Sequence, residues 1–247
     1  MAKTKTRTKM KAKSKQVLAR ISDANPKNSS GNYARLFGDE ELGNLISKIQ
    51  SASIKAGYVL EEIITQKSTL IPNEDLDRFV DDCMEGKHSG IFLCTKRMIK
   101  ESNYRVDGHE PDLMIFSLNS KGRGICHIVE LKVGAAFDTK KADGEKETLE
   151  ICRSALGPKL PFITNFYLCA FHAEDRQEIV TGLKGRFTLE EVMTGRELCE
   201  ILSIDYDEVV EEESRFQRDN AVYFTRAVVR KAKEKMYLIS EEDFYGE

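Results

Sequence analysis

Hydrophobic residues recur along this chain with two spacings, and the spacings predict its secondary structure. Apolar positions between residues 39 and 66 repeat at helical intervals, which predicts a long helix. Four other stretches are short and rich in apolar residues, as buried strands are. A helix over 143–156 is predicted before the last of these, because it begins with acidic residues and stops at Gly157-Pro158. The predicted strands are 90–99, 112–118, 125–133 and 162–171.

The second and third predicted strands carry charged residues that a hairpin would bring together. A turn-rich patch, 119–124, joins these strands, so they are expected to pair antiparallel. If the hairpin closes about Lys121, Asp112 lies opposite Glu130, because each is nine residues from that centre. Lys132 shares the face of Glu130, since side chains two apart on a strand point the same way. The sequence therefore predicts two carboxylates and one ammonium on a single patch of sheet.

An acidic residue two positions before a lysine is common in charged chains. The residues around Glu130-x-Lys132 must therefore show whether this triplet differs from a chance occurrence. Three such triplets are present, and this one alone lies inside an apolar strand. Pro-Asp occurs once in the chain, at the start of the partner strand. An ordinary cross-strand ion pair is the alternative interpretation. Two like charges facing each other repel, however, and a bound divalent cation removes that repulsion, so we favour a metal site.

These residues resemble the signature of the PD-(D/E)XK nuclease superfamily, which includes many type II restriction endonucleases. The match falls on Pro111-Asp112 and on Glu130 and Lys132. The resemblance implies an α/β fold with a restriction-endonuclease-like core, in which a central mixed β-sheet is flanked by helices in αβββαβ order. The predicted order of elements, a helix, three strands, a helix and a strand, agrees with that core.

The resemblance also implies a role for each residue of the signature. Asp112, Glu130 and the backbone carbonyl of Leu131 are expected to hold Mg²⁺, a cation that favours oxygen ligands. Lys132 is expected to orient the attacking water or to stabilise its hydroxide form, with a pKa lowered by the metal. The expected products carry 5′-phosphate and 3′-hydroxyl ends.

The long first helix carries a further candidate ligand. The segment Gly57-Tyr58-Val59-Leu60-Glu61 resembles the Gly-x-x-x-Glu pattern on the first helix of many such nucleases, where the glutamate approaches the metal. Glu61 is the candidate and Glu62 is the second choice, because the sequence does not decide which of them faces inward. A solvated carboxylate on an exposed helix face is the alternative interpretation.

Two groups of basic residues suggest contacts to phosphates. Eight lysines and arginines precede the first acidic residue, Asp23, although the whole chain has a net charge of −3. This distribution predicts a basic DNA-contacting arm over 1–38, ahead of a single nuclease domain over 39–247. A solubilising terminus or a targeting address is the alternative for the arm. Within the domain, the catalytic core is predicted at 39–171 and a mainly helical part at 172–247. The candidates for DNA contact inside the core are Lys140, Lys141, Lys146 and Arg153.

Composition argues against several other classes of protein. No apolar run approaches the roughly 20 residues that cross a bilayer, so no membrane partner is expected. The six cysteines are spread singly and lack Cys-x-x-Cys spacing. That pattern argues against a zinc site and a disulfide framework, and it predicts a cytoplasmic protein.

The favoured function is Mg²⁺-dependent, sequence-specific cleavage of double-stranded DNA by a homodimer, as in type II restriction. A cognate DNA methyltransferase is expected in the same system, although not as a physical partner. A repair or junction-resolving nuclease with the same core is one alternative, and a catalytically silent DNA-binding protein is another. The intact set of Asp112, Glu130 and Lys132 argues against a silent protein.

Overall fold

The computed structural model describes residues 30–121, 123–134 and 139–235. These residues form two compact units: Glu61–Val209 is one, and the described residues up to Leu60 and from Val210 are the other. Most of the predicted basic arm, residues 1–29, lies outside the described residues. The end of the predicted arm contains a helix that begins at Ser30. The division of the chain at residue 38 remains a prediction.

The helix, three strands, helix and strand predicted for the core all appear in that order. The helices are α1 (Ser30–Phe37), α2 (Glu40–Lys67), α3 (Leu76–Met84), α4 (Lys96–Lys100), α5 (Thr139–Leu156), α6 (Arg176–Gly182), α7 (Gly195–Leu202) and α8 (Tyr206–Lys235), and a 3₁₀ turn spans Pro72–Glu74. The strands are β1 (Gly90–Thr95), β2 (Leu113–Leu118), β3 (Gly124–Lys132), β4 (Ile163–Ala170) and β5 (Val192–Thr194). In the described part of the chain, no helix is both long and apolar enough to cross a membrane.

The strands form one mixed sheet in the order β1-β2-β3-β4-β5. The first three strands pair antiparallel, whereas β3, β4 and β5 pair parallel. The predicted α/β fold with a mixed central sheet flanked by helices is therefore confirmed. The fifth strand was not predicted, because three residues are too few to show the alternation that marks a strand.

The β2–β3 hairpin has the register that the sequence predicts. Leu118 pairs with Gly124 at the turn and Leu113 pairs with Val129 at the other end, which centres the hairpin on Lys121. The turn is held by Asn119, whose N–H donates to the Arg123 carbonyl at 2.8 Å. Gly124 suits its position, because a Cβ there would lie 1.9 Å from a carbonyl oxygen of β2. This register fixes which residues meet at the open end of the hairpin.

The first strand is shorter than predicted. The apolar run over 90–99 suggests one continuous strand, but β1 ends at Thr95 and the chain turns into α4. Consecutive burial of Met98 and Ile99 fits a helical turn, whereas a strand would place them on opposite faces. The turn brings Lys96 back toward the start of β2, where its N–H donates to the Asp112 carbonyl at 3.0 Å.

One face of the sheet packs against α3, α5 and α6 to form the main core of the Glu61–Val209 unit. The α5 helix begins four residues before its predicted start and ends at Leu156 as predicted. Its apolar side buries Leu149, Cys152 and Leu156 completely. Ile128 of β3 belongs to the same core, so Glu130 and Lys132 also project from the face that α5 covers.

Candidate active site

Asp112 and Glu130 lie side by side at the open end of the hairpin. The β2–β3 ladder ends with Leu113 opposite Val129, so the next pair in the register is Asp112 and Glu130. Both side chains are buried, with 7% and 6% of the residue surface exposed. The structure thus brings together the two carboxylates that the sequence suggests as metal ligands.

Both carboxylate oxygens of Asp112 accept hydrogen bonds. Oδ2 accepts from Leu131 N–H at 3.0 Å, and Oδ1 accepts from the Lys96 ammonium at 3.0 Å. With the backbone bond from Lys96 N–H to the Asp112 carbonyl, Lys96 contacts this residue twice. Asp112 is therefore held at both side-chain oxygens, at one of them by a charged donor.

Lys132 lies between two carboxylates. Its ammonium is 2.5 Å from Glu130 Oε1, two residues earlier on β3, and 2.8 Å from Glu145 Oε1 on α5. Only 17% of the Lys132 side chain is exposed, and the side chains of Glu130 and Glu145 are largely covered. The conformation of this lysine is therefore set by the strand that carries it and by the helix that follows.

The buried charges shift one another's pKa values. Burial raises the pKa of Glu130, and the charge of Asp112 raises it further, against the opposing effect of Lys132. Burial alone would lower the pKa of Lys132, but Glu130 and Glu145 outweigh it and raise that pKa. The net effect of these neighbours is an upward shift of the Lys132 pKa. The ammonium is firmly charged here.

Glu61, in α2, faces the same cluster of charges. Burial raises the pKa of its carboxyl to about 7, the charge of Asp112 adds to the shift, and two lysine ammoniums oppose it. Glu62 points elsewhere, because its carboxylate accepts from Gln66 Nε2 at 3.2 Å, one turn along the helix. The structure therefore favours Glu61 over Glu62 as the glutamate that approaches Asp112.

The Leu131 carbonyl projects to the side of β3 on which Asp112 lies. The carbonyl of the next residue, Lys132, accepts from Phe171 N–H at 2.8 Å on the β4 side. Successive residues of a strand direct their backbone groups to opposite sides, and Leu131 N–H already bonds Asp112. The Leu131 carbonyl is consequently directed away from β4, toward the carboxylates.

This donor set suits a hard divalent cation. Asp112, Glu130 and Glu61 offer carboxylate oxygens, and Leu131 offers a carbonyl oxygen, which are the ligands that Mg²⁺ prefers. Within 30–121, 123–134 and 139–235, however, no three His, Cys, Asp or Glu side chains already form a ligand cluster. Both oxygens of Asp112 and Oε1 of Glu130 accept hydrogen bonds from lysine ammoniums or a backbone N–H.

The four basic residues suggested for DNA contact differ in their surroundings. Lys140 and Lys141 are exposed in the first turn of α5. Lys146 is engaged within the protein, because its ammonium donates to the Arg186 carbonyl at 3.0 Å and to Glu191 at 2.9 Å. Arg153 is exposed, and its guanidinium lies 5.0 Å from the centre of the Phe166 ring. Their contact with DNA remains a prediction.

Sequence reasoning missed two residues of this cluster, Lys96 and Glu145. Lys96 belongs to the apolar run that was predicted to continue as a strand, and nothing in that run indicates a turn toward Asp112. Glu145 is one of several acidic residues at the start of α5. A signal was available once the strands were paired, because Thr95 pairs with Leu113 and so places the following residue beside Asp112.

Comparisons with known proteins identify the family. No protein-family model matches the chain, and no solved structure matches it. The chain is similar to the type II restriction enzyme HhaII of Haemophilus parahaemolyticus, with 40% identity over 219 residues, which cover 86% of this chain and 95% of that protein. Identity at this level, over nearly the full length of both chains, reflects a common fold and activity. The chain therefore belongs to the type II restriction endonucleases and is a site-specific deoxyribonuclease.

Proposed function

We propose that this endonuclease uses Mg²⁺ to hydrolyse phosphodiester bonds of double-stranded DNA, leaving 5′-phosphate and 3′-hydroxyl ends. Asp112, Glu130, Glu61 and the Leu131 carbonyl would hold the ion. The observation that carries this proposal is the burial of Asp112 beside Glu130. A fold gains no stability by burying two adjacent carboxylates, and the cost is offset when a divalent cation binds between them.

Phosphodiester hydrolysis needs an attacking water, neutralisation of charge on the phosphoryl oxygens, and support for the departing 3′-oxygen. The residues named above would hold a divalent cation, which would supply a Lewis acid and a nucleophile at neutral pH. The protein supplies the fixed positions, because Asp112 is held by Leu131 N–H and Glu130 is held in the central strand β3. Preorganised groups of this kind act without rearrangement during the reaction.

Lys132 would act as a cation in this scheme. Glu130 and Glu145 raise its pKa, so the ammonium keeps its proton at neutral pH and is a poor general base. A charged donor in this place orients the attacking water and stabilises negative charge as it develops on the oxygens. Glu145, whose Oε1 is 2.8 Å from the Lys132 ammonium, would hold this side chain in place while Glu130 serves as a metal ligand.

The proposal also includes a homodimeric enzyme, a companion methyltransferase and a cytoplasmic location. The Glu61–Val209 unit contains one cluster of this kind within its described residues, and a duplex has two strands to cut, so a homodimer on a short palindromic site accounts for double-strand cleavage. A DNA methyltransferase of the same specificity would protect host DNA. All six cysteines are unpaired and buried, which fits a reducing cytoplasm.

Digestion of mixed phage and plasmid DNA with the purified protein tests the proposal, with Mg²⁺ in one series and EDTA in the other. We expect discrete fragments only with Mg²⁺. The fragments should religate directly and should accept a 5′ label only after phosphatase treatment, as 5′-phosphate ends do. Labelling without phosphatase would contradict the proposed end chemistry.

Two variants serve as matched controls for the digestion. Lys132→Ala should abolish cleavage, whereas Lys87→Ala should not, because Lys87 pairs with Asp82 and Glu85 on the surface. A smear, or preferential cutting of branched DNA, would shift the assignment to a repair or junction-resolving nuclease. Cleavage that is equally fast in EDTA would show that the carboxylates do not serve a metal.

A further inference from the structure

Lys96 holds Oδ1 of Asp112, the side-chain oxygen that Leu131 N–H does not hold. It is the first residue of α4, and its backbone N–H is anchored on the Asp112 carbonyl at 3.0 Å. The side chain extends from this anchor to place its ammonium 3.0 Å from Asp112 Oδ1. The backbone of Lys96 is thus fixed, while 39% of its side chain is exposed and has room to move.

The charges around Lys96 show what its ammonium compensates. Three carboxylates act on it and together raise its pKa against the opposing effect of burial: those of Asp112, Glu130 and Glu61. These are the same three side chains that we propose as metal ligands. An internal cation therefore already neutralises part of the negative charge that would attract Mg²⁺.

Lys96 and a divalent cation would compete for Asp112. Leu131 N–H already occupies Oδ2 of Asp112 and Lys96 occupies Oδ1. An ammonium and a divalent ion on the same carboxylate oxygen would stand roughly 4 Å apart, where their repulsion amounts to several kcal/mol at a protein surface. Binding of the metal therefore favours release of the lysine from Asp112.

We propose that Lys96 is a built-in counter-ion that weakens metal binding in the DNA-free enzyme and moves to a DNA phosphate when the metal binds. This inference rests on the proposed metal site. The backbone anchor keeps the released ammonium near the reacting phosphate, the one strong anion that arrives with the substrate. Because the phosphate gives Lys96 a new partner, DNA and metal would each favour the binding of the other.

Metal affinity of the DNA-free protein tests this directly. Mn²⁺ is titrated into the metal-free protein at pH 8, and the EPR signal of the free ion reports what remains unbound. Lys96→Met removes the competing ammonium, and Lys96→Arg keeps a charge at the same place. Lys100→Met is the matched control, because Lys100 lies on the same helix, is half-exposed and pairs with Glu110 at 3.5 Å.

We expect Lys96→Met to bind Mn²⁺ about tenfold more tightly than the wild type or more, as loss of a charged hydrogen bond predicts. Lys96→Arg and Lys100→Met should stay near the wild-type affinity. Equal or weaker binding by a folded Lys96→Met protein, checked by its thermal unfolding, would overturn the inference. If the methionine variant does not fold, Lys96→Gln replaces it with the same expected direction.

Asp112→Asn separates this inference from the proposed function. If the wild type binds Mn²⁺ and Asp112→Asn does not, the metal site stands and Lys96→Met alone decides the counter-ion role. If Lys96→Met binds Mn²⁺ no more tightly than the double variant Lys96→Met/Asp112→Asn, the metal site and the inference both fail. At saturating Mg²⁺, Lys96→Met should cleave DNA more slowly in a single turnover, and an unchanged rate would overturn the phosphate contact.

Discussion

The backbone N–H of Leu131 donates a hydrogen bond of 3.0 Å to Oδ2 of Asp112, and this bond ties the end of β3 to the residue that precedes β2. The Asp112 side chain therefore has two tasks, since it satisfies a buried backbone donor and presents an oxygen to the site. Substitutions at this position can separate the two tasks.

Asp112→Asn should lower single-turnover cleavage by at least about a thousandfold while leaving the protein folded. The amide oxygen can still accept from Leu131 N–H, but the charge that attracts a cation is lost. Asp112→Ala should lose cleavage equally and should also lose about 1–3 kcal/mol of stability, because it leaves a buried N–H without a partner. Cleavage and urea unfolding, measured together, check both expectations. Wild-type cleavage by either variant would remove Asp112 from the site.

Stability of the metal-free enzyme should fall as pH rises through the range in which Glu61 titrates. The folded-state pKa of Glu61 is about 7, above its usual value of 4.5, so the folded protein binds the proton more tightly than the unfolded chain does. As pH rises from 4.5 to 7, the free energy of unfolding should fall by about 2 kcal/mol, a figure that allows for the partial exposure of Glu61. Urea unfolding in EDTA from pH 4.5 to pH 8 measures it.

Glu61→Gln is the variant that isolates this contribution, because other buried groups titrate as well. The difference in unfolding free energy between the wild type and Glu61→Gln should change with pH in that window and stay constant above it. A difference that does not depend on pH would show that Glu61 has an ordinary pKa. Glu62→Gln is the matched control, since its carboxylate bonds Gln66 instead.

Glu145→Gln should slow cleavage about 10–100-fold, as loss of a residue that supports an active-site group commonly does. Removing this carboxylate lowers the pKa of Lys132, since Glu145 helps to raise it. If the charged ammonium is the active form, the alkaline limb of the pH–rate profile should move to lower pH. Glu147→Gln, an exposed substitution on the same helix, should move neither the rate nor the profile. An unchanged profile in Glu145→Gln would contradict a role through Lys132.

Lys141 and Lys146 should respond differently to alanine. Lys141 is exposed, so Lys141→Ala should weaken duplex binding and make its dependence on salt shallower. Lys146 holds a carbonyl and a glutamate within the protein, so Lys146→Ala should instead lower stability by about 1 kcal/mol. Fluorescence anisotropy with a labelled duplex in EDTA and thermal unfolding distinguish the outcomes. The reverse assignment of the two effects would contradict the contacts seen for Lys146.

The sequence predicts the part of the site that depends on local pairing. The register of the hairpin follows from counting residues about its turn, so Asp112 and Glu130 are placed together without knowledge of the rest of the fold. The spacing of two along β3 likewise places Lys132 beside Glu130. Short-range rules were sufficient for these residues because the strands concerned are adjacent in the chain.

The pairing of neighbouring strands does not predict which residues of other elements lie in the site. Glu61 and Glu62 are neighbours in one helix, and only the way that helix packs shows which of them meets Asp112. Lys96 depends on where β1 ends, and boundaries of elements are the least certain part of any pattern. Glu145 depends on the angle at which α5 returns across the sheet, which periodicity does not encode.

The turn at 119–123 sets the geometry of a reaction that takes place at the far end of its hairpin. The side chain of Asn119 accepts from two N–H groups within the turn and so fixes its length. The six residues of β2 separate the turn from Asp112, a distance of roughly 20 Å. One inserted residue would slip β2 against β3 and shift Asp112 out of step with Glu130, which β4 holds independently. The length of this distant turn therefore determines whether Asp112 and Glu130 are aligned. We expect the turn length to be as constrained as the identity of the catalytic residues.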